Sequence, residues 1–390
     1  MSSAVEQAAA SRGDESEQTE QVRVSALELF SDLVFVFAIT QLTTLLVNDP
    51  TWRGLGHALL IFGMIWWIYG GYIWLTNSVR PDRLMRKLLL FGAMAGFLMM
   101  GLAIPRAFSG DGTVFGIGYL IAVLIHTGLF TQAARASKLA GIVRVAPFNL
   151  ASAVLLIVAG SLTSGVETAL WAAALTIQVA TPFVTRTERF HIEPGHFVER
   201  YSLLVLIALG ESLVAVGAGG RRLPLTLSVV VLSVLGLALT AALWWAYFVG
   251  DERGAEEALR ATPEERRPMR ALASYFYAQI PMMLGIVCVA AAIRTALPHP
   301  TSPASASQAL LLAGGAAAFL AGDLCFRAAL ALPRASWRLL ALPLALASAI
   351  LGLAGSITAQ LGLVAAILLA ALAAETLQEV RRDGRQPARV

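Results

Sequence analysis

Residues 28–46 read ELFSDLVFVFAITQLTTLL, an apolar stretch that decides the fold class. Its length is close to the roughly 20 residues that one helix needs to cross a hydrocarbon core of about 30 Å. Its first turns nevertheless carry two carboxylates, Glu28 and Asp32, and an acidic side chain inside such a helix costs about 2.5–3.5 kcal/mol. Two explanations are open: the acids lie at the interface, where they hold an arginine or cap a helix, or they take part in moving an ion.

The composition extends this conclusion to the whole chain. Of its 390 residues, 57% are hydrophobic and 14% are charged, against about 45–50% and 25% in an average soluble domain. The pattern predicts an all-α polytopic membrane protein with about twelve spans. The net charge of +4 does not indicate nucleic-acid binding, because the arginines lie in short loops, where their distribution predicts that both termini are cytoplasmic. The predicted spans lie near residues 27–47, 54–76, 87–105, 113–134, 145–163, 166–185, 199–218, 225–249, 271–293, 307–331, 337–355 and 359–378.

The second half of the chain repeats the first. Residues 28–34 align without a gap on residues 199–205, which places Thr40 opposite Glu211. Because six helices per copy is an even number, both copies start on the same side, and we predict parallel repeats related by an axis along the membrane normal. Three further matches follow in the same order: 66–69 with 244–247, 80–81 with 267–268, and 159–163 with 354–358.

The repeat sets the predicted domain boundaries. Residues 1–22 are polar and mixed in charge, which predicts a disordered cytoplasmic tail and neither a signal peptide nor an anchor. We expect the first six-helix repeat over residues 23–187, the second over residues 188–380, and a basic cytoplasmic tail over residues 381–390.

Each repeat concentrates polar residues on its first helix. Glu28, Asp32 and Thr40 lie roughly along one face of the first predicted helix, so that this face begins acidic and becomes apolar. In the second copy, Glu199 keeps the acidic start, and a new carboxylate, Glu211, lies near the middle of its span. A carboxylate at that depth pairs with a base, is protonated or faces water. A protonated Glu211 that only hydrogen-bonds a neighbouring helix is the structural alternative.

Other polar residues in the spans have simpler interpretations. Asp323 and Arg327 are four residues apart with the acid first, which favours an internal ion pair. His126 could titrate near neutral pH or form a polar contact between helices. Cys288 and Cys325 lack CxxC spacing, so we expect small buried hydrophobic residues and no disulfide or thiolate metal site.

Two loops carry most of the remaining charge. The loop between the copies, residues 186–200, holds two histidines and three acids, which predicts an electrostatic latch between the repeats. It lacks HExxH, so the metal signal is weak, and we predict no metal or cofactor. The charge-balanced loop 251–270 is expected to be a solvated connector. Without a nucleophile–base pair or a metal cluster, an enzyme is not expected.

Two long motifs carry a resemblance to a known family. ELFSDLVFVFAITQL (residues 28–42) and HFVERYSLLVLIALGESLVAVG (residues 196–217) resemble the two signatures of the bacterial low-temperature-requirement A (LtrA) family of membrane proteins. The resemblance spans the chain after residue 22, and the family commonly has a second Phe where this chain has Ser31. It implies a bacterial plasma-membrane protein linked to growth in the cold and says little about activity.

A more distant similarity concerns residues 30–40, FSDLVFVFAIT. They resemble the first helix of the endosomal and lysosomal potassium channels, which have bacterial relatives and are also built from six-helix units. The similarity implies that the Phe30–Asp32 motif, including Ser31, holds the first helix. It places Phe37 at the hydrophobic constriction and Thr40 at a pore-lining hydroxyl.

This chain also departs from the channel pattern. Where that family has an arginine four residues before the Phe, this chain has Ala26, and in the second copy Leu203 replaces the acid. A four-helix pore from a homodimer would alternate Thr40 with Glu211. That arrangement makes a proton or cation pathway as reasonable as potassium selectivity.

The prediction is therefore an ion channel or transporter for a monovalent cation or a proton, surrounded by membrane lipids and assembled as a homodimer. Glu28 and Asp32 would fix the first helix to basic partners, and Phe37 with its counterpart Ala208 would gate by excluding water. The alternative is a non-transporting membrane stress or temperature sensor or assembly factor, in which the acids only hold helices together. The candidate residues are Glu28, Ser31, Asp32, Phe37, Thr40, Glu199, Glu211, Asp323 and Arg327.

Overall fold

The chain folds into a bundle of apolar helices. The computed structural model describes residues 25–78, 83–137, 144–162, 165–185, 192–221, 223–249, 251–333 and 335–383, and these residues form no β-strand. Eleven of their helices are long and apolar enough to cross a membrane, and a shorter apolar helix covers Ala146–Gly160. The predicted all-α polytopic fold is confirmed. The predictions for residues 1–22, 80–81, 186–191 and 384–390 fall outside the described residues.

The helices are numbered here in chain order. A 3-10 turn, Ile104–Arg106, follows α3, and a π-helical turn, Leu272–Ala278, joins α10 and α11 into one span. The helices are α1 Ala26–Asn48, α2 Trp52–Ser78, α3 Leu84–Ala103, α4 Gly112–Ser137, α5 Ala146–Gly160, α6 Val166–Thr185, α7 Pro194–Gly220, α8 Leu227–Phe248, α9 Asp251–Arg260, α10 Arg267–Ala271, α11 Gln279–Ala296, α12 Ala306–Ala329, α13 Ser336–Ala354 and α14 Ile357–Asp383.

The two halves pack their helices in the same order. In the first half α1 packs on α3, α3 on α4, α4 on α5 and α5 on α6; in the second, α7 packs on α11, α11 on α12, α12 on α13 and α13 on α14. Both halves also contain a close crossing between glycines. A methyl group added to Gly96 of α3 would lie 2.7 Å from the carbonyl oxygen of Gly118 on α4, and one added to Gly285 of α11 would lie 2.4 Å from that of Gly315 on α12. The repeat itself stays a prediction.

The two halves meet through α1, α2, α7 and α11. Aromatic side chains fill this contact: Trp66 lies 5.5 Å from Phe62 and 5.9 Å from Tyr201 between ring centroids. The indole Nε1 of Trp66 donates a hydrogen bond of 2.9 Å to the carbonyl oxygen of Phe276 in the π-helical turn. The same contact brings the first helices of both predicted repeats, α1 and α7, against each other.

Two predictions about exposure were wrong. The loop 251–270 is not a solvated connector, because it contains α9, which packs on α7 and α8. The four-residue spacing of Asp251, Ala255 and Leu259 places them on one face, and all three are buried. Cys288 is buried as expected, whereas Cys325 is exposed.

Candidate functional site

The contact between α1 and α7 contains three polar pairs and is called here the α1–α7 seam. Each pair takes one residue from α1 and one from α7, and Tyr69 of α2 and Arg294 of α11 approach from the sides. The pairs occur at successive levels along both helices, because all members lie close to one face of their own helix. They are Glu28 with His196, Asp32 with Arg200, and Thr40 with Glu211.

Glu28 lies at the start of α1 and has two roles. Its Oε2 accepts hydrogen bonds from the backbone N–H of Ser25 at 2.9 Å and from the Ser25 hydroxyl at 2.8 Å, so that it completes a capping box. Its Oε1 lies 3.3 Å from Nε2 of His196 on α7. The hydroxyl of Ser31 donates to the carbonyl oxygen of Glu28 at 2.7 Å. Glu28 therefore caps the start of α1, one of the roles that the sequence analysis left open, and it also has a basic partner, His196.

Asp32 is fully buried one turn further along α1. Nη2 of Arg200 donates to its Oδ1 at 2.9 Å, and the hydroxyl of Tyr69 donates to the same oxygen. Arg200 is itself only 2% exposed. The basic partners expected for α1 thus come from α7, and Arg200 faces the acid from the other half of the chain. Glu28, Asp32, Tyr69, His196 and Arg200 form what we call the inner polar layer.

An apolar layer follows. Phe35 and Ile39 of α1 and Leu204 and Ala208 of α7 are at most 1% exposed. Leu204 and Ala208 continue the face of Arg200 towards Glu211, since they follow it at intervals of four residues. Eight residues of helix, or about 12 Å, separate Asp32 from Thr40. On α1, the residues between them, 33–39, all have apolar side chains.

Phe37 lies on a different side of α1. Its ring packs on α3, where a methyl group added to Gly101 would lie 2.7 Å from its Cδ1 atom. Phe35 instead contacts the inner polar layer, with its ring centroid 4.5 Å from that of Tyr69. Ala208 is buried in the apolar layer, and the gating roles of Phe37 and Ala208 stay predictions.

The outer polar layer consists of Thr40, Thr44, Glu211 and Arg294. The hydroxyl of Thr40 donates to Oε2 of Glu211 at 2.6 Å, and Nη1 of Arg294 donates to the Thr44 hydroxyl at 3.0 Å. Glu211 is 1% exposed, and its Oε1 has no hydrogen-bond partner within the described chain. The two residues that the sequence alignment placed opposite each other are therefore in direct contact within one chain.

A second buried set of charges lies in the other half of the molecule and is called here the second-half cluster. The predicted pair of Asp323 with Arg327 was wrong. Asp323 accepts a hydrogen bond of 2.8 Å from Nη1 of Arg338 on α13, and Arg327 pairs with Asp251 at the start of α9. Asp323 and Arg327, one turn apart on α12, thus each pair with an opposite charge from a neighbouring helix and not with each other. The cluster contains Asp251, Asp323, Arg327, Arg338 and Glu375.

The remaining candidates lie apart from these sites. Glu199, the sequence counterpart of Glu28, is half-buried on α7. His126 lies between α2 and α4, with ring centroids 5.2 Å from Tyr72 and 4.6 Å from Phe130. Among the described residues, no group of three His, Cys, Asp or Glu side chains is arranged to hold a metal ion.

Sequence reasoning did not single out Tyr69 or Arg294. Tyr69 belongs to the repeated segment 66–69, which was one available signal. Arg294 had no comparable signal, because a lone arginine near the end of a span reads as an orientation determinant. Its contact with Thr44 depends on how α11 packs on α1.

Comparisons with known proteins identify relatives for nearly the whole chain. A family model described as "Bacterial low temperature requirement A protein (LtrA)" matches residues 23–374. An uncharacterized protein of Rhizobium meliloti (strain 1021) is 29% identical over 324 residues, which cover 79% of this chain and 78% of the relative. No solved structure matches the chain. The similarity to potassium channels stays a prediction.

Proposed function

Because the chain belongs to the bacterial LtrA family, we propose that it is a bacterial plasma-membrane protein that carries a monovalent cation or a proton along the α1–α7 seam. Both termini would lie on the cytoplasmic side. The observation that supports this proposal is the sequence of layers in the seam: a polar layer, an apolar layer and a second polar layer, all on one face of α1 and α7. The proposal assigns transport and not catalysis.

The layers provide the parts that an ion pathway requires. The inner polar layer carries two carboxylates, which attract a cation, and Arg200 limits how tightly they hold it. The apolar layer, about 12 Å from Asp32 to Thr40, blocks ions as long as it stays dry. The outer polar layer offers hydroxyl and carboxylate oxygens of Thr40, Thr44 and Glu211, which can replace the water around an ion.

Glu211 is the residue on which the proposal depends most. It is bound directly by a hydroxyl and keeps one carboxylate oxygen without a partner. Such a group can accept a proton or bind a cation without first losing an arginine. The arrangement with Asp32 bound to Arg200 and Tyr69 is then the closed form, and opening requires α1 and α7 to separate enough for water to enter the apolar layer.

The proposal also includes two parallel repeats and a homodimer. Two parallel six-helix repeats place their first helices next to a common axis, which accounts for the contact between Thr40 and Glu211. We propose a homodimer, in which two such seams would lie side by side. The seam itself is complete in one chain, so conduction does not require a residue from the second copy.

Ion flux tests this proposal. The purified protein is reconstituted in liposomes, and fluxes of potassium, sodium and protons are measured separately against empty liposomes. Glu211→Gln removes the charge but retains a carbonyl oxygen for Thr40, so we expect a changed rate or ion preference in a folded protein. Glu257→Gln, the same change at an exposed position of α9, should leave the flux unaltered. Absence of flux from correctly inserted protein would overturn the proposal and favour a sensor or assembly factor.

A further inference from the structure

A cavity lies between helices of the first half, away from the seam. It is called here the α2–α6 pocket, because α2, α4, α5, α6 and the π-helical turn form its walls, and its cavity volume is about 90 Å³. An apolar cavity of about 150 Å³ can hold a benzene ring, so this pocket accommodates one end of a ligand and not a whole drug-sized molecule. Its residues lie in the last turns of α2, α4 and α6 and the first turns of α5, so the pocket is at the end of the bundle where α1 begins.

One buried polar atom of the described lining lacks a hydrogen-bond partner. Asn149 is 3% exposed and His126 is 7% exposed, and both line the pocket. Oδ1 of Asn149 has no hydrogen-bond partner within the described parts of the chain, whereas the imidazole of His126 interacts with the backbone of Gly71. Buried polar atoms are rarely left without a partner, so Oδ1 of Asn149 marks a place for the polar group of a ligand.

The other lining residues indicate the chemistry of the rest of the ligand. It is dominated by large apolar and aromatic side chains, among them Trp67, Ile68 and Phe276. Among the described lining residues there is no aspartate, glutamate, lysine or arginine, and these residues therefore favour a neutral head group. The ligand therefore has an apolar body and a neutral head group that can hydrogen-bond.

One glycine, Gly71, leaves space at the His126 side of the pocket. Gly71 of α2 faces His126, and a methyl group added to it would lie 3.0 Å from Nε2 of that histidine. A larger side chain at residue 71 would therefore occupy the polar end of the pocket. On the other wall, Phe276 packs edge-on against Trp67 with centroids 4.8 Å apart, and it belongs to a π-helical turn, an irregularity often found at functional sites.

We propose that the α2–α6 pocket binds a membrane-soluble alcohol with a single long apolar chain. Its hydroxyl donates to Oδ1 of Asn149, the first carbons of its chain pack against Trp67 and Phe276, and the rest of the chain extends into the bilayer. Because the walls are membrane-spanning helices, the alcohol enters from the bilayer. This site is separate from the seam and does not depend on ion conduction.

Photo-crosslinking tests the proposal. Protein in lipid nanodiscs is irradiated with a twelve-carbon alcohol that carries a mid-chain diazirine, and labelled residues are mapped by mass spectrometry. We expect saturable labelling of the pocket segments of α2 and α6 that excess unlabelled dodecanol removes. Gly71→Leu should lower this labelling about tenfold, as expected when a pocket is filled. Gly128→Leu is the control, because a methyl group there meets nothing within 4 Å.

A second pair of measurements tests the head group. Asn149→Leu should weaken binding of the alcohol about three- to tenfold, the effect of one hydrogen bond, and should not affect the corresponding methyl ether, which has no hydroxyl to donate. Ile68→Phe provides a second pocket-filling variant should Gly71→Leu not fold. Labelling spread over lipid-facing positions, or unchanged in both filled variants, would overturn the proposal whatever the ion-flux result.

Discussion

The α1–α7 seam and the second-half cluster are both buried and both acidic, but their acids are held in different ways. In the cluster, Arg338 donates hydrogen bonds to Asp251, Asp323 and Glu375 at 2.8–3.0 Å. In the outer layer of the seam, Glu211 receives its hydrogen bond from a threonine hydroxyl. An acid bound by arginine in a buried place is fixed, since separating the charges leaves one uncompensated. An acid bound by a hydroxyl can exchange its proton or ion, which is why we assign stability to the cluster and transport to the seam.

The comparison predicts the largest loss of stability in the cluster. Arg338→Leu leaves three carboxylates without their common donor, so the free energy of unfolding should fall by about 3–5 kcal/mol. Unfolding of the protein in detergent, followed by circular dichroism, measures this. Arg221→Leu, at an exposed arginine, serves as the control and should have little effect. Equal losses in the two variants would show that the cluster does not stabilise the fold.

Substitutions in the inner polar layer should change stability less than those in the second-half cluster and more than those at Glu211. A double-mutant cycle of Asp32→Asn and Arg200→Gln should give a coupling energy of about 1–3 kcal/mol, because the pair is buried and also binds Tyr69. The exposed pair of Arg106 with Asp111, at 2.7 Å, provides a matched cycle, for which a much smaller coupling energy is expected because solvent screens the charges. No coupling between Asp32 and Arg200 would contradict the inner layer.

The glycine crossings test whether the two halves are equivalent. Gly96→Ala and Gly285→Ala each force a methyl group against a backbone carbonyl, so each should cost about 1–2 kcal/mol. Gly314→Ala, where a methyl group meets nothing within 4 Å, should be neutral or slightly stabilising because alanine favours helix. A cost in one half and none in the other would argue against the repeat.

The smallest expected effect on stability is at Glu211. Glu211→Gln keeps an oxygen for the Thr40 hydroxyl and removes no arginine pair, so the free energy of unfolding should change by less than about 1 kcal/mol. The same detergent unfolding assay applies. A loss as large as that of Arg338→Leu would instead identify Glu211 as a structural residue.

The fold was largely predictable from the sequence because long apolar runs determine spans independently of tertiary contacts. The charges were less predictable. The i, i+4 spacing of Asp323 and Arg327 suggested a local pair, but Asp251 and Arg338 lie nearer in space although they are distant in sequence. The balanced charge of residues 251–270 also suggested a solvated loop, although α9 buries one face that includes an acid, Asp251.

The seam was predicted only in part. The sequence alignment at an offset of 171 placed Thr40 opposite Glu211, and the two side chains do meet. The basic partner of Asp32 could not be assigned, because Arg200 lies 168 residues away and nothing local connects them. The channel similarity pointed to Phe37, whereas packing places Phe35 beside the inner layer.

Thiol accessibility tests most directly whether the seam is the ion pathway. With Cys288 and Cys325 replaced by alanine, Thr40→Cys places a thiol in the seam, and Leu33→Cys places one on the lipid-facing side of α1, where Leu33 is 57% exposed. We predict that silver ions stop ion flux through Thr40→Cys liposomes and leave Leu33→Cys liposomes unaffected. Undiminished flux after complete modification of Thr40→Cys, or no flux in either variant, would contradict the account.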